Sequence, residues 1–284
     1  MKRLLPLLAL LALPAHHGWG ETTLGTAITS VPYPITKAGV YHFTKDLTFS
    51  AGNASAIDIG ASDVVIDLNA HVLDTLAGSG NTIIGIKCDG FNRVTIKDGV
   101  IRGFQSAVVL TGSGTRVSDL LVTNNYGSGI TLVGNDNQVV HNRVCNTGGA
   151  ANASFLYAIG INVSGTDCTV ADNDVQNTFA SDNTGHFGDG IRINGCANIV
   201  VSNNRVLDVE PSAPVNGGIS TGIVADSTAP SGNLIFLGNI VVTSQTGFDL
   251  SGGSSGKYGD NITGGVSTGY NTSGSGMTDV GNNN

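Results

Sequence analysis

A short segment recurs eight times along the chain, and its spacing limits the folds that the sequence can adopt. Each copy has a small residue, an apolar residue, a variable residue and a second apolar residue. The copies begin at Ala56, Gly85, Ala107, Gly129, Gly160, Gly190, Gly222 and Gly247. This alternation predicts a short strand with one buried face. The apolar anchors are 22 to 32 residues apart, which predicts a constant coil carrying loops of different length. A propeller blade needs about 40 residues, and the pattern of a leucine-rich repeat is absent.

A second register of polar residues follows the first. Its members are Asn69, Asp98, Asn142, Asn173, Asn204, Asn239 and Asn261, and only the coil containing Leu120 lacks one. Asn tolerates the left-handed backbone conformation and bonds to its own turn. Stacked side-chain amides can also hydrogen-bond to one another. We therefore predict that these residues form one corner of most coils, with left-handed backbone and mutual hydrogen bonds.

Stacked short strands with Gly and Asn corners are typical of a parallel β-helix. The composition agrees, since 41 of 284 residues are Gly and only 12% are charged; these values exclude coiled-coil and disordered chains. We predict an all-β, single-stranded right-handed parallel β-helix of about eight to nine coils with an N-terminal cap. Over residues 55–265 the chain resembles the right-handed parallel β-helix superfamily that includes pectate lyases and NosD-like repeat proteins.

The remaining segments suggest the domain organisation. Residues 1–20 combine Lys2 and Arg3 with a short apolar run over 4–13, which predicts a signal peptide and a secreted or periplasmic protein. That run is too short to span a bilayer. No later segment is long and apolar enough to do so, and no membrane span is therefore expected once the signal peptide is removed. Residues 21–54 are predicted to form an N-terminal cap, 55–265 the β-helix, and 266–284 a tail rich in Gly, Ser and Asn. We see no indication of oligomeric state.

The net charge and the spacing of the cysteines argue against some classes of partner and site. The net charge is −8, and no basic run follows residue 3, so a nucleic-acid partner is not expected. The four cysteines form no C-x-x-C pair, which argues against a zinc or redox site. A disulfide between Cys168 and Cys196 remains open, because export permits disulfides.

The variable residue of each copy is predicted to point outward, so stacked coils present a column on one face. Its members are Asp58, Lys87, Val109, Thr131, Asn162, Arg192, Val224 and Asp249. The resemblance implies that a groove along this face binds a polysaccharide. The longest additions to the repeat, 147–158, 178–188 and 210–220, belong to consecutive coils. We predict that they build one wall beside Asn162 and Arg192; neutral surface loops are the alternative.

The densest polar cluster supplies the candidate site. Candidate catalytic residues are Arg192, His186, Asp189 and Tyr157, and candidate substrate-binding residues are Asn162, Thr131, Asp182 and Lys87. In β-elimination a base removes the proton beside a uronate carboxylate while a cation neutralises that carboxylate. Arg192 could be the cation or the base, and His186 or Tyr157 the base or the acid. In hydrolysis two carboxylates flank the glycosidic bond, and Asp182 and Asp189 are the nearby pair.

The motifs of named activities are mostly missing from the chain. Residues 185–188, Gly-His-Phe-Gly, and 192–194, Arg-Ile-Asn, only loosely resemble the Gly-His-Gly and Arg-Ile-Lys blocks of polygalacturonases. The Arg-x-Pro-x-x-Arg block of pectate lyases and the Asp-Pro-His motif of mannuronan epimerases are absent. The sequence favours a lyase-type enzyme acting on an acidic polysaccharide; the alternative is a non-catalytic binding or structural module. No cofactor is expected, although scattered Asp residues leave Ca²⁺ open.

Overall fold

The computed structural model describes residues 25–50, 55–78, 80–149, 157–179, 187–210, 219–226 and 232–284. These residues form 26 β-strands, all of whose pairings are parallel, and they contain no helix. The all-β parallel β-helix predicted from the repeat is confirmed. The strands are β1 (Thr26–Ile28), β2 (Tyr33–Ile35), β3 (Gly39–Phe43), β4 (Leu47–Phe49), β5 (Ser55–Ile59), β6 (Val64–Asp67), β7 (Val72–Thr75), β8 (Ile84–Asp89), β9 (Val94–Arg102), β10 (Ser106–Thr111), β11 (Arg116–Thr123), β12 (Ser128–Val133), β13 (Gln138–Val140), β14 (Arg143–Gly148), β15 (Tyr157–Thr166), β16 (Thr169–Ala171), β17 (Asp174–Phe179), β18 (Phe187–Ala197), β19 (Val200–Ser202), β20 (Arg205–Glu210), β21 (Ser220–Asp226), β22 (Leu234–Leu237), β23 (Ile240–Asp249), β24 (Ser255–Gly259), β25 (Ile262–Asn271) and β26 (Gly276–Asp279).

The strands stack in three columns because each strand pairs with its equivalent in the next coil rather than with its neighbour in sequence. In the middle of the chain β12 pairs with β15, β13 with β16 and β14 with β17. We call the column that contains β12, β15 and β18 the Arg192 face. It runs through β2, β5, β8, β10, β12, β15, β18, β21 and the last parts of β23 and β25.

The apolar anchors predicted from the sequence are direct neighbours along this face and line the core. They are Ile57, Ile86, Val108, Ile130, Ile161, Ile191, Ile223 and Phe248, each fully buried. Each such side chain contributes about 1.5–3 kcal/mol through removal from water. The stack of apolar side chains therefore fixes the register, because a slip by one residue would turn every anchor outward.

The small residue before each anchor is required by close packing inside the coil. A Cβ atom added to Gly190 would lie 2.6 Å from the carbonyl oxygen of Gly222 and would also overlap Val206 Cγ1. Gly129, Gly160 and Gly222 are in the same situation, each against the carbonyl of the equivalent Gly in the following coil. The Gly at this position thus allows the backbones of successive coils to approach closely.

We expect Gly190→Ala to lower the free energy of unfolding by about 2–3 kcal/mol, since the added methyl group cannot be accommodated without moving backbone. The measurement is urea denaturation followed by far-UV circular dichroism. Gly78→Ala is the control, because a Cβ at Gly78 meets no atom within 4 Å; its effect should stay within about 0.5 kcal/mol. Equal effects of the two substitutions would contradict the packing argument.

Buried asparagines form a continuous hydrogen-bonded ladder at one corner of the coils. The Nδ2 atom of each donates to Oδ1 of the next, at 3.0–3.3 Å, from Asn142 through Asn173, Asn204, Asn239 and Asn261 to Asn283. Each Oδ1 also accepts from the backbone N–H of the preceding ladder residue, as Asn173 does from Asn142 at 3.0 Å. The ladder begins at Asn142, whose Oδ1 accepts from the backbone N–H of Leu120 in the preceding coil. The predicted mutual hydrogen bonds are confirmed from Asn142 onward. Asn69 and Asp98 are not part of the ladder, since Nδ2 of Asn69 donates to the carbonyl oxygen of Phe43 and Oδ2 of Asp98 accepts from Lys97.

The predicted left-handed conformation of these asparagines is wrong for the ladder. The left-handed residues are those immediately before it, including His141, Asp172 and Asn203 with φ of 55–57°. Asn69 and Asp98 do have positive φ. The predicted register therefore combined two adjacent positions of the coil, the left-handed position and the ladder position that follows it. Two further corners of the same coils also hold left-handed Asp or Asn, for example Asp167 and Asn177. Three left-handed corners per coil allow the chain to close around its core.

The segments flanking the repeat also take part in the stack. Strands β1 to β4, within the predicted cap, pair with β3, β5, β6 and β7. In the predicted tail, β26 pairs with β24, and Asn283 extends the ladder. Cys168 is a free thiol, so the disulfide between Cys168 and Cys196 is not formed. The part of the chain that the structure describes contains no helix long and apolar enough to cross a bilayer.

Candidate functional site

The outward column predicted from the repeat is observed on the Arg192 face. Its members are consecutive partners in the register: Asp58, Lys87, Val109, Thr131, Asn162, Arg192, Val224 and Asp249. Thr131, Asn162 and Arg192 are therefore immediate neighbours on three successive strands. Because strands are about 4.8 Å apart, Lys87 lies four steps, or about 19 Å, from Arg192 along the face.

Arg192 is held by two carboxylates. Its Nη2 lies 2.8 Å from Oδ2 of Asp189, and its Nη1 lies 3.8 Å from Oδ2 of Asp226. Only 15% of the Arg192 side chain and 5% of the Asp189 side chain are exposed. The contact with Asp189 lacks the alignment of a hydrogen bond, so it is chiefly an attraction between charges. A largely buried guanidinium is thereby fixed between Asp189 and Asp226.

Two aromatic rings border the guanidinium. The Cζ atom of Arg192 lies 4.4 Å from the centroid of the Tyr157 ring, a distance at which a cation is attracted to the ring face. Phe187 stacks on Tyr157, with centroids 5.2 Å apart and planes 19° from parallel. The two residues are partners in the register of β15 and β18. Tyr157 remains 40% exposed, so the aromatic pair forms an accessible side of the site.

Burial dominates the titration of Asp189. Loss of hydration raises the pKa of Asp189 to about 6, against the opposing effect of the Arg192 charge, and the nearby Asp226 and Asp249 raise it further. The carboxyl group therefore changes charge close to neutral pH. A buried acid with a pKa near the working pH is well suited to proton transfer.

The raised pKa predicts a pH-dependent stability. The folded protein holds the Asp189 proton more tightly than the unfolded chain, so stability falls as pH rises from about 4 to about 6 and then levels off. The rise of the Asp189 pKa to about 6 corresponds to about 3 kcal/mol of stability. We expect Asp189→Asn to remove this component, as measured by urea denaturation between pH 4 and 7. Parallel stability curves for the wild type and the variant would contradict the assignment.

Three buried polar atoms at the site are without hydrogen-bond partners among the described residues, namely Nε of Arg192, Oδ1 of Asn162 and Oδ2 of Asp189. Buried polar groups are paired in nearly all proteins, so such atoms require an explanation. Nε of Arg192 is a donor and Oδ1 of Asn162 is an acceptor, and the two residues are partners on adjacent strands. Asn162 and Arg192 thus retain the hydrogen-bonding capacity expected of substrate-binding residues.

The structure brings together some of the predicted site residues but not others. Tyr157, Asp189 and Arg192 are in contact, and Asn162 is adjacent, whereas Lys87 is distant. His186 and Asp182 lie outside the described residues, as does most of the predicted wall. Asp226 was not predicted as a site residue. Its position was a usable signal, since Asp226 lies two residues after Val224 and hence on the same side of the strand. No group of three or more His, Cys, Asp or Glu side chains in the described ranges is placed to hold a metal ion.

Fold and site together define a parallel β-helix protein with a polar cluster on one outward face. The fold is similar to that of the pectate lyase Pel9A, with a TM-score of 0.62 at 14% identity over 86% of this chain and 70% of that chain. DFA-IIIase from Arthrobacter chlorophenolicus A6 gives a TM-score of 0.45 at 15% identity, over 79% of this chain and 52% of that one. The A-module of the mannuronan C-5 epimerase AlgE4 from Azotobacter vinelandii gives 0.38 at 15% identity, over 90% of each chain.

Neither a family model nor a curated protein matches the chain. At these identities the structural similarity shows the shared fold and does not transfer an activity. The function must therefore be argued from the side chains of the site.

Proposed function

We propose that the protein is an exported lyase-type enzyme that acts on an acidic, uronate-containing polysaccharide at the Arg192 site. The observation that carries the proposal is the fixed, largely buried Arg192 guanidinium, bordered by Asp189 and by the Tyr157 ring. Pel9A, a pectate lyase by name, shares the fold, which supports a polysaccharide as the substrate class.

In the proposed reaction Arg192 binds the uronate carboxylate. The Nη1 group is available for this, because Asp189 contacts Nη2, Asp226 lies 3.8 Å from Nη1, and Nε is buried. A base takes the proton from the carbon beside the carboxylate, and that bonding pair forms a carbon–carbon double bond. The glycosidic bond on the far carbon then breaks, and its oxygen leaves with a proton from an acid. Arg192 stabilises the negative charge that develops on the carboxylate.

Tyr157 is the described residue best placed for the proton transfers, since its ring contacts Arg192 while its side chain remains accessible. His186 is retained as the other candidate for base or acid. Protonation of Asp189 below about pH 6 leaves the Arg192 charge less compensated. Binding of an anionic sugar should therefore strengthen as the pH falls towards that value.

A second candidate reaction, hydrolysis of a glycosidic bond, is favoured by the carboxyl pair at Arg192. Burial gives Asp189 a pKa of about 6, as a general acid requires, and Asp226 is the carboxylate on the other side of the guanidinium. Two carboxyl groups that flank the scissile bond are the usual machinery of glycosidases. The pair of Asp182 and Asp189 expected from the sequence stays a prediction, because Asp182 lies outside the described residues.

A polymer screen with two readouts separates these reactions. The protein is incubated with polygalacturonate, alginate, glucuronan and neutral polymers, and both ultraviolet absorbance of unsaturated products and new reducing ends are measured. Elimination gives both signals, whereas hydrolysis gives reducing ends alone. If correctly folded protein gives neither signal on any polymer, both reactions are refuted and the non-catalytic binding or structural module stands.

Export is tested separately from activity. Expression in a bacterial host followed by cell fractionation should place the protein in the periplasm or the medium, with a mature chain beginning near Glu21. A full-length chain retained inside the cell would contradict the predicted signal peptide.

A further inference from the structure

A cavity of about 330 Å³ lies at the N-terminal end of the Arg192 face, away from the Arg192 cluster. Three of its lining residues, Pro34, Asp58 and Lys87, are successive partners in the register, so they continue the outward column. Asp89 lies two residues after Lys87 on the same side of β8, and Phe91 follows in the turn. The volume falls in the range of small-ligand sites.

The lining combines an apolar surface with a polar rim. Pro34 and Phe91 supply the apolar part, and Phe91 is half-buried against the core. The rim consists of Asp58, Lys87 and Asp89. Such a lining suits a ligand with one apolar face and hydroxyl groups around its edge.

The rim charges disfavour ions of either sign. Lys87 Nζ lies 3.6 Å from Oδ2 of Asp89. The other carboxylate oxygen of Asp89, Oδ1, accepts a hydrogen bond of 3.1 Å from the Thr111 hydroxyl group. Two carboxylates and one ammonium give a net charge of −1, which repels a uronate, while Lys87 occupies the place that a bound cation would need. Hydroxyl groups, by contrast, can donate to both carboxylates and accept from the ammonium.

We propose that this cavity is a second saccharide-binding site, which takes an uncharged sugar ring with its apolar face on Phe91 and its hydroxyl groups on Asp58, Lys87 and Asp89. The site is separate from the proposed reaction at Arg192 and does not depend on it. Thr131 and Asn162 lie between the two sites on the same face, about 19 Å in extent from Lys87 to Arg192. A polysaccharide with neutral residues could thus be held at a point remote from the Arg192 cluster.

The test is isothermal titration of the full chain with neutral linear hexasaccharides, namely cellohexaose, xylohexaose and mannohexaose, beside hexagalacturonate. At least one neutral hexasaccharide should bind, and Lys87→Gln should weaken that binding about tenfold, as expected for loss of hydrogen bonds from a charged group. Phe91→Ala should have an effect of similar size. Lys257→Gln, an exposed lysine on β24 and off the Arg192 face, is the matched control and should bind as the wild type does.

Arg192→Gln separates this site from the proposed reaction, because it should leave binding of the neutral hexasaccharide unchanged. The inference is overturned if no neutral hexasaccharide binds, if Lys87→Gln and the folded Phe91→Ala both bind like the wild type, or if Arg192→Gln abolishes the binding. A failure of the polymer screen with intact hexasaccharide binding would reject the proposed reaction while supporting this site.

Discussion

Replacing Arg192 by glutamine should lower kcat/KM on the cleaved polymer at least about 100-fold, the usual effect of removing one preorganised group that stabilises developing charge. Arg192→Gln also leaves the buried Asp189 without its counter-charge. The pKa of Asp189 should then rise further, and the protein should lose about 3 kcal/mol of stability near neutral pH. Initial rates and urea denaturation, measured on the same preparation, give the two effects separately.

The double variant Asp189→Asn/Arg192→Gln is the control for the loss of stability. It removes both charges, so it should recover most of the unfolding free energy lost by Arg192→Gln while remaining inactive. Arg192→Lys keeps the charge but loses the planar fork, and its rate should fall between those of the wild type and Arg192→Gln. A wild-type rate for Arg192→Gln would remove Arg192 from the reaction.

Asn173→Asp should be the most destabilising single change in the buried ladder, with a loss of about 3–4 kcal/mol at pH 7. The Nδ2 group of Asn173 donates to the carbonyl oxygens of Val139 and Ala171 and to Oδ1 of Asn204. A carboxylate would face three acceptors without a donor, in a site with almost no access to water. Lowering the pH should recover part of the loss, because a protonated carboxyl group can donate once.

Asn177→Asp is the matched control, since it makes the same change in the same coil at an exposed position. Asn177 belongs to a short ladder on the surface, where its Nδ2 donates to Oδ1 of Asn146 at 2.7 Å. Asp also tolerates the left-handed backbone of Asn177. The loss should stay within about 1 kcal/mol, and a loss equal to that of Asn173→Asp would show that burial of the ladder is unimportant.

Much of the fold was predictable because packing in the core determines which residue types the repeat contains. Every coil needs an inward apolar residue, such as Ile161 or Ile191, and a small residue before it, such as Gly160 or Gly190. Both requirements restrict the residue type at a fixed position, so the pattern can be recognised in the sequence. The left-handed corner was harder to place. Asp172 and Asn173 are adjacent polar residues, and both residue types favour turns, so composition alone could not tell which one bends the chain and which one bonds along the stack.

The site was predictable only as far as the register extends. Arg192 and Asn162 were identified because they occupy the variable position of the repeat, and Asp189 because it lies close to Arg192 in sequence. Asp226 reaches Arg192 from the next coil, more than thirty residues later in the sequence. The depth of Asp189, which decides its pKa, depends on how neighbouring coils cover it and leaves no mark on the local sequence.

The pairing of each coil only with the coils directly above and below it has a mechanical consequence. Hydrogen bonds along the ladder join residues 22 to 35 positions apart, and none of these bonds reaches across several coils. Tension applied between the two ends of the rod should therefore peel it from a terminus, one coil at a time, as in a spring that unwinds. Force–extension traces should show a series of small steps, each releasing the contour length of a single coil of 22 to 32 residues.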